Sequence, residues 1–320
     1  MVGHSSRRRL SRSGKPHPTI ITQYASRTTQ YEIMAEKVFL NDKLVDINKA
    51  CIQVTDSGFL YGAGLFETMR SCNGVVFALK DHLDRLSFSA GSLSINNPYD
   101  GKQLTDAIYK VLRANKLTDA RLRLTLTGGP VSEPDEQRKP TLLITATELQ
   151  PYPAEYYRKG VTVVLCPFRQ NPAEPIYGHK TINFFPRMIA LNLAHQKRAA
   201  EALWFTVDNR LAEGCVSNVF LVKDSVLYTP PIRTPVLAGV ARKTVCQIAL
   251  EKSIKLVEKD LCVYDVLGAD EIFLTNVIMQ VLPVSKVEKH TVGSGAVGPI
   301  AKGLRKGFDA FVKRQCKKKK

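Results

Sequence analysis

The middle of the chain carries the stretch Gly178-His179-Lys180-Thr181-Ile182-Asn183-Phe184-Phe185. It places Lys180 between a proline-rich loop at residues 171–175 and an apolar helix predicted from Asn183 to about Arg198. Most lysines are solvated surface charges, so this stretch alone gives no reason to assign chemistry to Lys180. We expect Lys180 to be an active-site lysine because of the sequence on both sides of it.

Around this stretch, hairpin signals alternate with helical periods. Asn73-Gly74 separates two apolar runs and predicts a tight hairpin, because both residues tolerate positive φ. Residues 121–126 alternate polar and apolar side chains, as a half-buried strand does. Antiparallel hairpins grouped between helices favour an α+β fold over a doubly wound sheet. The predicted strands cover residues 38–40, 44–47, 69–72, 75–79, 121–126, 141–147, 161–165, 202–207, 210–213, 217–222, 226–228 and 271–274. One helix is predicted to start at about residue 80, and the others cover residues 102–115, 183–198, 239–252 and 299–314.

The chain of 320 residues is long enough for two domains, each with its own core, and its hydrophobic fraction of 44% is ordinary for a globular protein. The stretch Gln150-Pro151-Tyr152-Pro153 is the best candidate for a boundary between them. We predict a disordered basic N-terminal extension at 1–34, a small α+β domain at 35–150, a larger α+β domain with Lys180 at 151–312, and a basic tail at 313–320.

The net charge of +17 lies mostly at the two ends of the chain. Residues 1–33 carry a net charge of +5 and residues 313–320 carry +6, together nearly two-thirds of the total. Short basic tails are usually solvated segments, and any contact they make with nucleic acid is weak and independent of sequence. We expect no nucleic-acid partner, and a non-enzymatic nucleic-acid binder is a remote alternative. Because the patterned sequence begins directly after Met34, we also predict that Met34 is the true start.

Composition further predicts a cytoplasmic protein without membrane spans or metal. No run of about 18 apolar residues occurs, and the N-terminus lacks the apolar segment of a secretory signal. The seven cysteines are an odd number with no Cys-x-x-Cys pair, which is typical of reduced thiols. The six histidines do not cluster with cysteines or carboxylates at ligand spacing.

Two segments after Lys180 could take part in chemistry, although each also has an ordinary structural explanation. Gly239 leads into a helix whose first turn offers free N–H groups to a phosphate, unless it is a plain helix start. Glu213 ends a short strand among apolar neighbours, where it either faces water or is partly buried beside Ser217 and Asn218.

Two more segments could take part in chemistry but also have an ordinary structural explanation. Thr275 and Asn276 end an apolar strand, where hydroxyls and amides commonly bind ligands, or where they form a capping turn. Arg85 lies on a helix packed by leucines, and its ordinary explanation is a surface ion pair with Asp81 or Asp84.

Taken in order, the segments from about Val38 to Phe311 resemble the fold-type IV pyridoxal-phosphate enzymes. These form the class IV aminotransferase family, which includes branched-chain aminotransferase, D-amino acid aminotransferase and 4-amino-4-deoxychorismate lyase. The resemblance implies a two-domain α+β fold with pyridoxal 5′-phosphate in the cleft between the domains. It also implies a homodimer in which loops of one subunit help to close the other's site. The matching text is Val54-Thr55-Asp56-Ser57-Gly58-Phe59-Leu60-Tyr61-Gly62-Ala63-Gly64-Leu65-Phe66-Glu67-Thr68, His82-Leu83-Asp84-Arg85-Leu86, Lys180 with Asn183, Ala212-Glu213-Gly214 through Asn218-Val219-Phe220, Gly239-Val240-Ala241-Arg242 and Phe273-Leu274-Thr275-Asn276.

The resemblance implies a role for each matching residue. Lys180 would form the Schiff base with the cofactor and then carry a proton between Cα and C4′, which requires a neutral amine with a pKa lowered by burial. Glu213 would keep the pyridine nitrogen protonated, and Arg85 would bind the phosphate as a bidentate fork. The remaining contacts implied are Val240 and Ala241 through their N–H groups and Thr275 through its hydroxyl for the phosphate, and Tyr61 and Asn276 near the substrate.

The motif around Lys180 does not decide which branch of the family, and so which reaction, the chain resembles. Branched-chain aminotransferases commonly show Lys-x-x-x-Asn-Tyr. Here Asn183 comes three residues after Lys180, and Phe185 has no hydroxyl. This spacing is closer to that of the D-amino acid and deoxychorismate-lyase branches.

Motifs in the first half of the chain favour a branched-chain-like member instead. D-amino acid enzymes bind the substrate carboxylate with an Arg-x-His pair after the strand that corresponds to 122–126, and Thr127-Gly128-Gly129-Pro130 has neither residue. Phe66-Glu67 and the 121–127 strand occur in branched-chain-like members. We predict transamination between a branched-chain or related amino acid and a 2-oxo acid. The alternative is 4-amino-4-deoxychorismate lyase, which releases 4-aminobenzoate and pyruvate.

Overall fold

The computed structural model describes residues 36–132 and 138–317, which form two β-sheets with helices packed against them. The predicted α+β class is confirmed. The predicted N-terminal extension and the question of whether Met34 is the start lie outside the described residues. In chain order the helices are α1 (Ser57–Tyr61), α2 (Leu79–Ser92), α3 (Gly101–Ala114), α4 (Ala154–Lys159), α5 (Phe185–Gln196), α6 (Val240–Glu251), α7 (Val263–Leu267) and α8 (Pro299–Gln315), with a short 3₁₀ turn at Ile47–Lys49.

The first sheet is antiparallel throughout, and its strand order is β2-β1-β6-β5-β3-β4. The order matches the hairpin signals in the sequence, because strands that follow each other closely in the chain pair with each other. Its strands are β1 (Lys37–Leu40), β2 (Lys43–Asp46), β3 (Gly64–Cys72), β4 (Val75–Val76), β5 (Ala120–Thr127) and β6 (Leu142–Glu148).

Two local predictions in this sheet are confirmed. Asn73 and Gly74 both have positive φ, 54° and 78°, and join β3 to β4 as the hairpin signal requires. In β5, residues Leu122, Leu124 and Leu126 are fully buried against the helices. The alternation of β5 therefore sets one face of the sheet toward α2 and α3 and leaves the other face outward.

The second sheet is mixed, which corrects the expectation of antiparallel hairpins alone. Its order is β12-β11-β10-β13-β14-β7-β8-β9, with β15 paired to β14. The pairs β7–β8, β7–β14 and β11–β12 are parallel. The β7–β8 pair follows from its connection, because α5 crosses between the two strands. Its strands are β7 (Val161–Gln170), β8 (Glu201–Thr206), β9 (Leu211–Gly214), β10 (Asn218–Lys223), β11 (Val226–Thr229), β12 (Leu256–Glu258), β13 (Glu271–Asn276), β14 (Gln280–Val287) and β15 (His290–Thr291).

The β3–β4 hairpin contacts the last helix of the chain. The Phe77 side chain, which follows β4, is fully buried in the core of the second sheet, where its ring contacts Phe308 and Phe311 of α8. Cys316, directly after α8, is also fully buried and donates its thiol to the Val75 carbonyl. The predicted tail at 313–320 therefore starts too early, since the helix extends to Gln315.

Candidate active site

Lys180 lies in the loop between β7 and α5, and this loop pairs with the start of β3. The Phe66 amide donates to the Lys180 carbonyl at 2.9 Å, and the Ile182 amide donates to the Gly64 carbonyl at 2.9 Å. The loop is held from a second direction by His179, whose Nδ1 lies 2.9 Å from the Ser89 hydroxyl of α2. The lysine is thus presented between the first sheet and the second.

The amine of Lys180 lies against an aromatic ring and among cations. Its Nζ is 4.4 Å from the centroid of Phe66. Burial first, and then the positive charge of Arg85, lower the pKa of Lys180 to about 7, while Glu67 acts in the opposite direction. A large fraction of the amine is therefore neutral near pH 7, as an attacking or proton-carrying lysine requires.

Arg85 on α2 makes a bidentate ion pair with Glu67 of β3. Its Nε donates to Glu67 Oε1 at 2.8 Å and its Nη2 to Oε2 at 2.6 Å. This partner differs from the ion pairs expected for a surface arginine, because Asp81 and Asp84 pair with lysines instead. The Arg85 side chain is 10% exposed and that of Glu67 is 1% exposed, so the pair is largely shielded from water.

A buried histidine completes this pair. His82 Nδ1 lies 2.7 Å from Glu67 Oε2. Burial raises the pKa of Glu67, but the charge of Arg85 and the hydrogen bond from His82 outweigh it and lower the pKa to about 2. Burial lowers the pKa of His82, so a neutral ring donates Nδ1–H to the carboxylate. Its Nε2 is buried and has no hydrogen-bond partner in the described part of the chain.

A second arginine–carboxylate pair lies near enough for the charge of its arginine to act on Lys180. Arg187 of α5 donates through Nη2 to Glu213 Oε1 at 2.5 Å and through Nη1 to the Gly214 carbonyl at 2.9 Å. Burial opposes the charge of Arg187, but Glu213 prevails and raises its pKa. Glu213 is the next-to-last residue of β9 and is buried, which is one of the two alternatives that the sequence left open. Of its expected polar neighbours, Asn218 reaches it at 3.4 Å, whereas Ser217 donates to Glu201.

One loop, residues 237–239, joins the two pairs. The Leu237 amide donates to Glu213 Oε2 at 3.0 Å, and the Leu237 carbonyl accepts from Asn218 at 2.9 Å. The next carbonyl, that of Ala238, accepts from Arg85 Nη1 at 3.0 Å. Glu213 and Arg85 thus contact consecutive residues of the same loop, which leads directly into α6.

The start of α6 has no side-chain cap and could bind an anion. Gly239 is its N-cap, and no side chain caps the helix. A Cβ at residue 239 would overlap the side-chain amide oxygen of Asn218, so any other residue would have to displace that side chain from its bonds to Glu213 and Leu237. The first-turn N–H groups, which include those of Val240 and Ala241, have no acceptor within the helix. These N–H groups lie in the loop-to-helix segment that Arg85 contacts and could donate to a phosphate-like group.

Thr275 adds an independent observation at the same place. Its hydroxyl is buried and has no hydrogen-bond partner among the residues that the structure describes. Thr275 of β13 pairs directly with Asn218 of β10, the residue that contacts both Glu213 and the 237–239 loop. A buried hydroxyl without a partner costs free energy, which a bound acceptor at this position would offset.

The two residues predicted near the substrate are placed differently. Tyr61 ends α1 and is 71% exposed, and the next residue, Gly62, approaches Asn183 of the Lys180 loop. Asn276 uses its side chain within the protein. It donates to the Val216 carbonyl at 3.0 Å and accepts from the amides of Ile278 and Met279. The capping turn considered for Asn276 is what the structure contains, and its predicted contact with substrate stays a prediction.

Glu67 and Arg187 are site residues that the sequence did not reveal. One signal for Glu67 was present, because it shares the inward register of β3 with Leu65 and Met69, which are fully buried. A carboxylate in that register requires a buried partner. Arg187 gave no comparable signal, since it lies on an ordinary helix.

The described residues contain neither a candidate metal centre nor a membrane-spanning helix. No group of three or more His, Cys, Asp and Glu side chains within 36–132 and 138–317 could hold a metal ion. None of the helices in these ranges combines the length and hydropathy needed to cross a bilayer.

Comparison with known proteins identifies close matches over most of the chain. Residues 64–287 match the family model described as amino-transferase class IV. The chain is 34% identical over 276 residues to a putative branched-chain-amino-acid aminotransferase of Methanocaldococcus jannaschii, covering 85% of this chain and 95% of the relative. It is 27% identical over 280 residues to D-alanine aminotransferase of Staphylococcus haemolyticus, covering 86% and 98%.

A solved structure gives the same result for the fold. The branched-chain amino acid aminotransferase of Escherichia coli superimposes with a TM-score of 0.84 at 26% identity. The match covers 89% of this chain and 97% of that one. Among the other solved structures that match is a branched-chain amino acid aminotransferase with pyridoxamine 5′-phosphate.

Proposed function

The chain belongs to the class IV aminotransferases, and from this premise we propose that it uses Lys180 to transfer an amino group from a branched-chain-type amino acid to a 2-oxo acid. The resemblance drawn from the motifs is confirmed, and so is aminotransferase as the reaction class. The matched relatives are aminotransferases, so the deoxychorismate-lyase alternative is not needed.

Class IV aminotransferases use pyridoxal 5′-phosphate, and the residues present fit this cofactor. The observation that carries the proposal is the unpartnered Thr275 hydroxyl beside an uncapped helix start, because together they provide a phosphate site. Arg85, Val240, Ala241 and Thr275 would hold the phosphate, and Glu213 would face the pyridine nitrogen. When bound, the cofactor supplies an aldehyde that takes up the amino group and a ring that accepts electrons.

Lys180 Nζ is the group that moves a proton in this proposal. Its neutral form can accept a proton from a substrate carbon, and the cations around it ease the return of that proton. Phe66 lies against the amine and makes an edge contact with Phe184, with ring centroids 5.6 Å apart. These rings exclude water from one side of the lysine and offer an apolar wall to an aliphatic side chain.

The cofactor assignment is tested by visible absorption. The protein loaded with pyridoxal phosphate is expected to show an absorption band that is absent in Lys180→Ala. Lys243→Ala is the matched control, because this exposed lysine pairs with Asp81 away from the amine. A wild-type protein that stays colourless after the cofactor is added would remove the basis of the proposal.

The substrate assignment is tested by comparing amino donors. We expect 2-oxoglutarate-dependent turnover of leucine, isoleucine or valine to exceed that of D-alanine, since Thr127-Gly128-Gly129-Pro130 carries no arginine or histidine and the Thr127 hydroxyl is bonded to Asp56. Faster turnover of D-alanine would reverse the assignment. Release of pyruvate from aminodeoxychorismate without transamination would favour the lyase.

We also propose a homodimer, as the resemblance implies. The segment 52–61 precedes β3 and exposes large apolar side chains next to the site, with Val54 and Phe59 75% exposed. Such a patch on a soluble enzyme is usually covered by a partner. Light scattering should give twice the monomer mass for the wild type and the monomer mass for Phe59→Glu. Leu250→Glu, which changes an exposed leucine on α6, is the control that should remain dimeric.

The cytoplasm is the proposed location. All seven cysteines are described and none forms a disulfide, and a reducing compartment preserves such thiols. Fractionation of cells that express the tagged chain should recover it with cytosolic markers, and recovery in an oxidising compartment would contradict the proposal.

A further inference from the structure

Glu67 is buried, charged and bonded on every side by residues that belong to the site. Its two oxygens accept from Arg85 Nε and Nη2 and from His82 Nδ1, all within 2.8 Å. The backbone of its neighbour Phe66 bonds to Lys180. A carboxylate 1% exposed is costly to bury unless it is paired, and here both of its partners come from α2.

The pairing fixes both the plane and the rotation of the Arg85 guanidinium. One edge of the group donates to Glu67, and Nη1 donates to the Ala238 carbonyl. A guanidinium has five N–H groups, so two remain after these three bonds among the described residues. Arg85 is thus held between β3 and the 237–239 loop, next to the start of α6.

We propose that Glu67 is a positioning residue: it holds Arg85 so that its two remaining N–H groups serve a phosphate at the start of α6, and it offsets the charge that Arg85 exerts on Lys180. This inference rests on the proposed function. It adds a requirement to it, since Arg85 without Glu67 would rotate away from the start of α6 or bond elsewhere.

Four charged side chains act on the amine of Lys180, and Glu67 is the one that opposes the others. Arg85, Arg123 and Arg187 lower the pKa of its amine, whereas Glu67 raises it. Replacing Glu67 with glutamine leaves Arg85 uncompensated and so lowers the pKa of Lys180 further. A loss of structure at Glu67 would have a different signature, because exposure to water would raise the pKa of Lys180 toward its ordinary value.

The test compares two ligands that differ only in the phosphate. Dissociation constants of pyridoxal phosphate and of pyridoxal are measured by absorption for the wild type and for Glu67→Gln. We expect the constant for pyridoxal phosphate to rise about tenfold or more, while that for pyridoxal changes less than about twofold. Equal weakening of both ligands, or no change in either, overturns the inference.

Two further variants separate positioning from stability. Glu271→Gln removes another buried carboxylate, which caps α8 through Ile300 and Ala301, and it should leave the ratio of the two constants unchanged. Glu67→Asp keeps the charge but shortens its reach, so an intermediate ratio is expected. If Glu67→Gln does not fold, Glu67→Asp carries the test, and an unchanged ratio in that variant overturns the inference.

A second readout is the pH at which the protein captures pyridoxal. The pH of half-maximal capture should be lower in Glu67→Gln than in the wild type. If this pH is higher or unchanged, Glu67 does not offset the charge of Arg85 at Lys180. The wild type separates this inference from the proposed function. If the wild type captures neither ligand, the proposed function fails. If it captures both and Glu67→Gln behaves in the same way, only the role of Glu67 fails.

Discussion

Two arginine–carboxylate pairs lie near Lys180, and they differ in where their hydrogen bonds come from. Glu67 accepts only side-chain donors, and both of these lie on α2. Glu213 accepts one side-chain donor from α5, one backbone amide from the 237–239 loop and a third, longer contact from β10. Glu67 therefore depends on one helix, whereas Glu213 is supported by three separate parts of the second half of the chain.

The two carboxylates therefore differ in how many independent hydrogen-bond donors stabilise their charge. Removing Arg187 leaves Glu213 two donors, one of which is a backbone amide and so does not depend on a second side chain. Removing Glu67 leaves Arg85 a single carbonyl, that of Ala238, and leaves His82 without an acceptor. The cost of breaking each pair should differ accordingly.

The largest expected effect is that of Glu67→Ala on stability. It leaves a buried guanidinium unpaired, and we expect the free energy of unfolding to fall by about 3–5 kcal/mol. Urea denaturation of the cofactor-free protein measures this, with Arg187→Ala as the comparison. Equal losses in the two variants would show that the difference in redundancy has no energetic consequence.

Glu213→Gln should reduce both activity and stability. The glutamine oxygen can still accept from the Leu237 amide, but the negative charge that we propose faces the cofactor ring is lost. We expect kcat to fall by about 100-fold or more, and the free energy of unfolding to fall by about 1.5–3 kcal/mol because Arg187 loses its charged acceptor. The measurement is turnover of leucine and 2-oxoglutarate at saturating cofactor, and a wild-type kcat in this variant would argue against Glu213 as the ring partner.

Arg187→Gln should cost less than Glu67→Ala. A hydrogen bond to a charged group is lost, so the expected loss in the free energy of unfolding is about 1.5–3 kcal/mol. Glu213 keeps its bonds to Leu237 and Asn218. A loss as large as that of Glu67→Ala, in the same denaturation experiment, would mean that Arg187 is the main support of Glu213.

The smallest effect is the pH dependence of cofactor capture. With a pKa of about 7, the neutral fraction of Lys180 rises about tenfold between pH 6 and pH 8 and then levels off. The rate of pyridoxal capture should follow this curve. In Arg187→Gln the whole pH profile of the rate should be shifted to higher pH, because Arg187 lowers the pKa of Lys180 in the wild type. A rate that still climbs tenfold per unit at pH 9 would place the pKa near its ordinary value.

The same pKa predicts how stability changes with pH. Between pH 7 and 10.5 the unfolded chain binds a proton at Lys180 that the folded chain does not, so the free energy of unfolding rises with pH in this window. Lys180→Met should remove that rise. An identical pH profile in wild type and variant would contradict it.

Local features of the fold were readable from the sequence, and nonlocal pairing was not. Asn73-Gly74 and the alternation of β5 gave the first sheet its hairpins. Strand β14 was missed because Pro283 interrupts it, although it is paired on both sides. Its pairing with β7 begins at Val284 and includes a register shift, which no local pattern encodes.

The site divides in a similar way. Lys180, Arg85 and Glu213 were found through motifs, whereas Glu67 lies 18 residues from Arg85 and Arg187 lies 26 from Glu213. The partner of a buried charge depends on tertiary packing, so its identity could not be read locally. Thr275 was predicted to bind the phosphate and Asn276 to lie near the substrate, and neighbours in a strand point to opposite faces. Of these two residues, Thr275 has a buried side-chain oxygen without a hydrogen-bond partner among the described residues, whereas Asn276 bonds within the protein.

The contact of the β3–β4 hairpin with α8 has a consequence for synthesis on the ribosome. Val75 and Cys316 are 241 residues apart, so the hairpin leaves the exit tunnel long before its partner helix exists. At a usual translation rate this interval lasts roughly 10–50 s. Throughout it, Phe77 has no native core to enter, and the nascent first sheet exposes an aromatic side chain to chaperones or to other chains. Completion of the native structure must therefore await release of the finished polypeptide.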